Sequence, residues 1–330
     1  MSGFPEMRLR RLRRTAALRD MLSLPMPAPE KFVWPVFVVS GEGRKEPIEA
    51  MPGQCRMSPD VLVEELKPVR EMGIRAILVF GVVQTDDLKD GAGSAAYDDD
   101  GVVQRAVRRV REEHPDLLVF TDVCLCAYTE HGHCGPLDDA GNVDNDAANE
   151  VLAKVALSHA AAGADVVAPS AMMDGQVRAL RTALDSADFA QTLVMSYSTK
   201  FASNMYGPFR DAEHSAPQGG DRSGYQAPFG DLRQALRESE LDEEEGADIL
   251  MVKPSLLYLD VLCRLRERTD LPIAVYNVSG EYSMLIASAD RGWGDLRGMV
   301  RESTSALFRA GADIIISYWA NRYNEFFTDQ

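Results

Sequence analysis

The sequence predicts a single (β/α)8 TIM barrel behind an N-terminal arm, with residues 1–30 as the arm and residues 31–330 as the barrel domain. Two observations carry this reading. Eight short apolar runs alternate with amphipathic stretches of helical spacing, and eight parallel strands are the number that closes into a barrel. The tripeptide Gly-Ala-Asp recurs before three of the runs, at Gly163, Gly246 and Gly311, as repeated αβ units would place it. Glycine suits a helix end because it tolerates positive φ. A length of 330 residues is ordinary for one barrel with insertions.

The elements follow in order. Residues 32–39 (FVWPVFVV) read as the first strand and 61–72 as a helix with apolar spacing. Residues 76–80 (AILVF) form the second strand, before a helix over 102–113. The third strand is 116–123 (DLLVFTDV), followed by a helix over 147–162. The fourth is 165–168 (DVVA), with a helix over 177–184, and the fifth is 192–197 (TLVMSY). A helix over 232–245 precedes the sixth strand, 249–252, and a helix over 258–268 precedes the seventh, 272–278. A helix over 296–310 leads into the eighth strand, 314–318. The runs are rich in Val, Ile and Leu without strict alternation, as strands buried on both faces are. A doubly wound open sheet is the alternative, but no G-x-G-x-x-G follows an early strand. Residues 81–100 and 201–230 are long Gly-rich loops after strands, where a barrel keeps its functional segments.

Composition narrows the function. A net charge of −16 argues against nucleic-acid binding and for a soluble, cytoplasmic protein. No run approaches the ~20 apolar residues that span a bilayer, so no membrane partner is expected. Arg8, Arg10, Arg11, Arg13, Arg14 and Arg19 crowd the start of the chain. They read either as a transit peptide or as a solvated helical arm, the arm being favoured because Glu6 and Asp20 interrupt the basic run. A basic arm on an acidic body suggests contact with a neighbouring subunit. Five cysteines, an odd count, do not form a disulfide framework and fit a reducing compartment.

Chemistry in a barrel sits at the C-terminal ends of the strands. There the sequence places Asp122, Cys124, Cys126, Ser170, Lys200, Lys253, Tyr276, Ser279 and Tyr318. Lysine is scarce, and two of the few, Lys200 and Lys253, end consecutive strands. Burial and a second ammonium both lower a lysine's pKa, which makes it a competent amine for imine formation. Cys124-x-Cys126-x7-Cys134 has zinc-ligand spacing, and three thiolates leave a fourth position open, as at catalytic zinc. His131 and His133 lie close enough to compete as a fourth ligand or to hydrogen-bond within the loop. Arg210 and Arg222, in the loop above the lysines, suit carboxylates, and Ser279 and Tyr318 offer hydroxyls to another carboxylate. Taken alone, each arginine reads first as a solvent or salt-bridge residue, and its position above the lysines raises the functional case.

Several long stretches occur together: RRLRRT, TDVCLCAYTEHGHCG, GADVVAPSAMMDG, MSYSTKFASNMYGPFRDA, GADILMVKP, AVYNVSGEY and AGADIIISY. With these the chain resembles the porphobilinogen synthase (5-aminolaevulinate dehydratase) family from about residue 8 onward. The resemblance implies a homo-oligomeric lyase, expected as an octamer, that condenses two molecules of 5-aminolaevulinate to porphobilinogen with loss of two waters, on the way to haem. It implies Lys253 as the Schiff-base lysine and Lys200 as the second active-site lysine. Cys124, Cys126 and Cys134 would hold catalytic zinc, with Asp122 close by. Arg210 and Arg222, with Gln226 near them, would bind the second substrate's carboxylate, and Ser279 and Tyr318 the first's. Glu238, in an acidic helix with Glu240, Asp242, Glu243, Glu244 and Glu245, matches the ligand of an allosteric magnesium. Ala127, Ala171 and Gln176 depart from what many members carry. A Schiff-base aldolase would explain the lysines but not the thiolates, and a zinc-binding pseudoenzyme would not need both lysines.

Overall fold

The apolar runs become strands because a pleated backbone can bury both faces of a Val/Ile/Leu segment at once. In the computed structural model, which describes residues 3–85 and 88–328, β1 (Phe32–Val38) opens the sheet. A short antiparallel hairpin follows, β2 (Lys45–Pro47) and β3 (Cys55–Met57). Then come β4 (Ala76–Gly81), β5 (Leu118–Val123), β6 (Val166–Pro169) and β7 (Leu193–Lys200). The last three are β8 (Ile249–Lys253), β9 (Ile273–Asn277) and β10 (Ile314–Ser317). β1 pairs in parallel with β4 on one side and with β10 on the other, so eight strands close a ring. The protein is therefore the expected (β/α)8 barrel, with the hairpin outside the ring. The hairpin leaves no trace in the sequence pattern, because its strands are too short and polar to show a period.

The helices are α1 (Ala16–Leu22), α2 (Pro59–Glu71), α3 (Val102–Glu113), α4 (Asn145–Ala162), α5 (Gln176–Ser186) and α6 (Gly207–Glu213). They continue with α7 (Leu232–Glu244), α8 (Leu259–Arg266), α9 (Ser279–Asp290), α10 (Leu296–Arg309) and α11 (Tyr323–Phe327). Side-chain oxygens satisfy backbone donors that the first turn leaves free. Asp144 accepts from Ala147 N at 3.1 Å, and Asp231 from Arg233 N at 3.0 Å. α6 and α9 were not expected. α6 lies within the loop read as structureless, and α9 begins one residue after β9 without a strong apolar period.

The recurring Gly-Ala-Asp has a physical role at both ends. Gly163, Gly246 and Gly311 all have positive φ, at 108°, 103° and 118°, and end helices there. The aspartate two residues on then clasps the preceding strand. Asp165 Oδ2 accepts from Val119 N at 2.7 Å, Asp248 Oδ2 from Val194 N at 2.8 Å, and Asp313 Oδ2 from Ile273 N at 2.9 Å. Three of the barrel's αβ corners are thereby locked at the end opposite the site.

Between β7 and β8 the register shifts. Ser196 pairs with Leu250, yet Thr199 pairs with Val252 and Lys200 with Lys253, so β7 carries one extra residue. Such a bulge re-aims the residues that follow it. β7 also runs three residues past the expected end at Tyr197. Its polar tail is satisfied by β8: Ser198 Oγ accepts from Met251 N at 3.2 Å and Thr199 Oγ1 donates to Met251 O at 3.2 Å.

The arm, a 3-10 turn (Leu9–Arg13) and then α1, buries none of its helical residues. It displays Phe4, Met7, Leu12 and Leu22 to solvent, so its apolar content is larger than its arginines suggested. Among the described residues, no helix is long and apolar enough to cross a membrane.

Candidate active site

The ends of β7 and β8 deliver Lys200 and Lys253 side by side into the barrel mouth, both buried. Four aromatic rings surround the Lys253 amine. Its Nζ lies 4.3 Å from the Tyr276 ring centre, 4.8 Å from Tyr197, 5.1 Å from Phe209 and 5.5 Å from Tyr206. Ring faces attract a cation by about 1 kcal/mol each, less than the several kcal/mol that leaving water costs an ion. Burial, followed by repulsion from Lys200, lowers the Lys253 pKa to about 7. Near neutral pH a large fraction of this amine is therefore unprotonated and nucleophilic. Lys200 Nζ donates to Ser170 O at 2.6 Å and lies 5.6 Å from the same Tyr197 ring.

Asp122, near the end of β5, responds to the same charges in the opposite sense. Burial raises its pKa to about 6, and attraction to Lys200 and Lys253 restrains the rise. Its Oδ1 is buried without a hydrogen-bond partner. A carboxyl group poised between its two protonation states beside a half-neutral amine is suited to proton transfer.

The loop after β5 carries Cys124, Cys126 and Cys134, all buried, with sulfurs within 4.8 Å of one another. Cys124 Sγ lies 3.5 Å from Cys126 Sγ. Hydrogen bonds from Cys124 and Cys126, then the charges of Arg222 and Lys200, pull the Cys134 thiol well below its usual range. Hydrogen bonding with Cys126 and Cys134, then burial, pushes Cys124 well above it. Three buried thiols competing to ionise are the donor set a soft divalent cation satisfies. Among the described residues this trio alone is gathered closely enough to hold a metal. His131 and His133 are occupied elsewhere. His133 contacts Tyr225 Oη at 3.1 Å and Gly219 O at 2.9 Å, and His131 accepts from His133 N at 3.1 Å. Loop hydrogen bonding is thus what these histidines do.

The segment after β7 closes over this mouth. α6 is tied at its start by Phe209 N, which donates at 3.0 Å to Ser279 Oγ at the head of α9. Arg56 of the hairpin grips its end, donating to Ala212 O at 2.6 Å and Asp211 O at 2.7 Å. Arg222 joins the segment to the cysteine loop, donating to Ser215 O at 2.6 Å and Gly132 O at 3.0 Å. Arg222 and Arg210 each leave a buried Nε without a partner, and both polar atoms of the buried Gln226 side chain are unpartnered. Unsatisfied donors of this kind are costly unless a ligand completes them. Tyr318 Oη lies 2.9 Å from Tyr276 Oη, placing a hydroxyl pair beside the lysine.

Glu238 stands apart from this group. It is half-buried on α7 and lines a separate cavity of about 810 Å³ with Asp174, Asn142, Gln234 and Tyr225, which Gln226 also borders. Burial raises its pKa, and Asp174 and Glu245 add to the effect. On the same acidic helix Asp242 turns inward and accepts from Ser196 Oγ. Tyr206, Phe209 and Glu213 were not anticipated at the site. Tyr206 and Phe209, aromatic residues between Lys200 and Arg210, were an available signal, whereas Glu213 sits in a charged run that reads as surface.

The chain matches the family described as Delta-aminolevulinic acid dehydratase over residues 6–326. It is 51% identical over 320 residues to the delta-aminolevulinic acid dehydratase of Synechococcus elongatus, covering 96% of this chain and 97% of that one. The enzyme of that name from Archaeoglobus fulgidus is 49% identical over 325 residues, covering 98% and 99%. Among solved structures, the Toxoplasma gondii delta-aminolevulinic acid dehydratase (porphobilinogen synthase), in complex with the reaction product porphobilinogen, superposes with a TM-score of 0.94. That match is at 42% identity and covers 97% of this chain and 91% of that one.

Proposed function

The chain belongs to the delta-aminolevulinic acid dehydratase family, a lyase that joins two 5-aminolaevulinate molecules into porphobilinogen, and on that premise we propose which residues perform the reaction here. Lys253 forms the imine. Its neutral amine attacks the ketone of the first substrate, water leaves, and the protonated imine serves as an electron sink. Lys200, its ammonium held by Ser170 O, supplies a fixed positive charge beside the developing bond. Asp122 exchanges protons with the reacting atoms. Ser279 and Tyr318 receive the carboxylate of the first substrate. Arg210, Arg222 and Gln226 receive that of the second, which completes their unpartnered donors.

The cysteine trio fits zinc, with three buried sulfurs in mutual reach. Zinc held by Cys124, Cys126 and Cys134 would supply Lewis acidity to the second substrate. Magnesium at Glu238 would act away from the chemistry, as an allosteric ion in the cavity that also borders Gln226. The exposed apolar residues of the arm support a homo-oligomer, which we take to be an octamer.

The observation that carries the assignment is the pairing of Lys200 with Lys253 inside an aromatic pocket. Incubation with 5-aminolaevulinate and zinc, followed by colorimetric assay of the pyrrole, tests it. Pyrrole formation is expected. Aldol cleavage, or zinc binding without turnover, would replace this reading with an aldolase or a pseudoenzyme.

A further inference from the structure

Glu213 ends α6 with its side chain turned inward, 3% exposed. Its carboxylate Oε2 accepts from Cys126 Sγ at 3.6 Å. No Lys, Arg or His forms an ion pair with it among the described residues. A carboxylate without a paired cation is expensive to bury, by several kcal/mol, so such groups are protonated, paired or bound to a metal.

Its placement is held firmly. The backbone carbonyls on both sides of it are gripped by arginines: Ala212 O by Arg56 at 2.6 Å, and Ser215 O by Arg222 at 2.6 Å. The distance to Cys126 is also informative. A zinc ion about 2.3 Å from sulfur and about 2.0 Å from oxygen, with a tetrahedral angle between them, sets the two donors about 3.5 Å apart. The three sulfurs share mutual reach, and the carboxylate joins that set only on the Cys126 side. A donor in that position is available to a metal but is the one most easily exchanged. Arg222 and Lys200 bring positive charge to the site that offsets a fourth anionic donor.

We propose that Glu213 is an exchangeable fourth donor to the metal held by Cys124, Cys126 and Cys134, closing the site before substrate arrives and yielding its place to the substrate. The proposal rests on the zinc reading above. It assigns Glu213 to the resting site: the carboxylate excludes water from the metal, and substrate displaces a protein ligand rather than a water.

The test uses full-length protein loaded with Co2+ under reducing conditions and without substrate. Thiolate-to-cobalt charge-transfer absorption in the wild type, lost in Cys126→Ser, reports the cysteine site itself. Electron spin echo spectroscopy in D2O then reports metal-bound water through exchangeable deuterons. The wild type is expected to show none, and Glu213→Ala and Glu213→Gln to show bound water. Glu213→Gln keeps the side chain's size, so the comparison does not depend on one variant's packing. Zinc affinity measured against a chelator should fall by roughly tenfold or more in both variants. The same deuterium signal in all three proteins, or unchanged zinc affinity in the variants, would overturn the role of Glu213. Absence of the charge-transfer absorption in the wild type would overturn the zinc site and this proposal together.

Discussion

Lys200 and Lys253 face each other as register partners at the ends of β7 and β8, brought level by the extra residue that β7 carries between Ser196 and Thr199. Without that bulge Lys253 would stand opposite Thr199. The pairing has an electrostatic consequence, because the Lys200 charge is the second contribution, after burial, that lowers the Lys253 pKa to about 7. A lysine lowered in this way gains neutral amine as pH rises through 7, so imine formation should rise from pH 6 to pH 8 and level off. Replacing Lys200 by Met removes the repulsion and should move the midpoint of borohydride trapping upward by about one pH unit. An unmoved midpoint would mean that burial alone sets the amine.

Metal removal separates chemistry from folding. The cysteine loop lies above the barrel, whose core is built from β-strand residues such as Leu78, Val167 and Val275. Chelation should abolish turnover while leaving the far-ultraviolet circular dichroism unchanged, and zinc should restore activity. Full activity in the chelated protein would remove the metal from the reaction, and loss of the fold would make the site structural.

The two arginines differ in what else they hold. Arg210→Ala should raise KM about tenfold or more with a smaller change in kcat, as expected when one charged hydrogen bond to a substrate carboxylate is lost. Arg222→Ala should do the same and also expose residues 215–222 to limited proteolysis, because it releases Ser215 O and Gly132 O. A KM equal to wild type in both variants would place the second carboxylate elsewhere.

Asp242 provides a test of stability against pH. Burial raises its pKa to about 7, and Ser196 Oγ donates to it. Its folded pKa lies above its unfolded value near 3.9, so the native state binds the proton more tightly. That contribution is present in full below about pH 4 and is lost as pH rises through 7. Asp242→Asn keeps an acceptor for Ser196 without the buried charge. It should raise Tm by a few degrees at pH 8 and hardly at all at pH 4. An equal shift at both pH values would show that Asp242 does not titrate near 7.

The barrel was legible because its signal is local and repeated. Eight apolar runs and three Gly-Ala-Asp corners each reflect a nearby backbone requirement. Lys253 was legible for the same reason, as a scarce lysine closing an apolar strand. The end of β7 was not, since Ser198 and Thr199 are polar and their strand pairing depends on β8 beside them. Glu213 and Asp242 read as surface charge because each lies in a charged run, and their burial comes from elements distant in the chain. The docking of α6 onto Ser279 buries Glu213, and the packing of α7 against Ser196 buries Asp242. The aromatic cage shares this origin, since Tyr197, Phe209 and Tyr276 come from three separate elements.

The central claim, that Lys253 is the imine-forming amine, is tested most directly by reducing the protein with borohydride in the presence of 5-aminolaevulinate and mapping the modified peptide by mass spectrometry. The account predicts a single adduct on Lys253 at neutral pH, absent from Lys253→Arg, whose guanidinium stays protonated. An adduct on Lys200 alone, or an adduct that persists in Lys253→Arg, would contradict it.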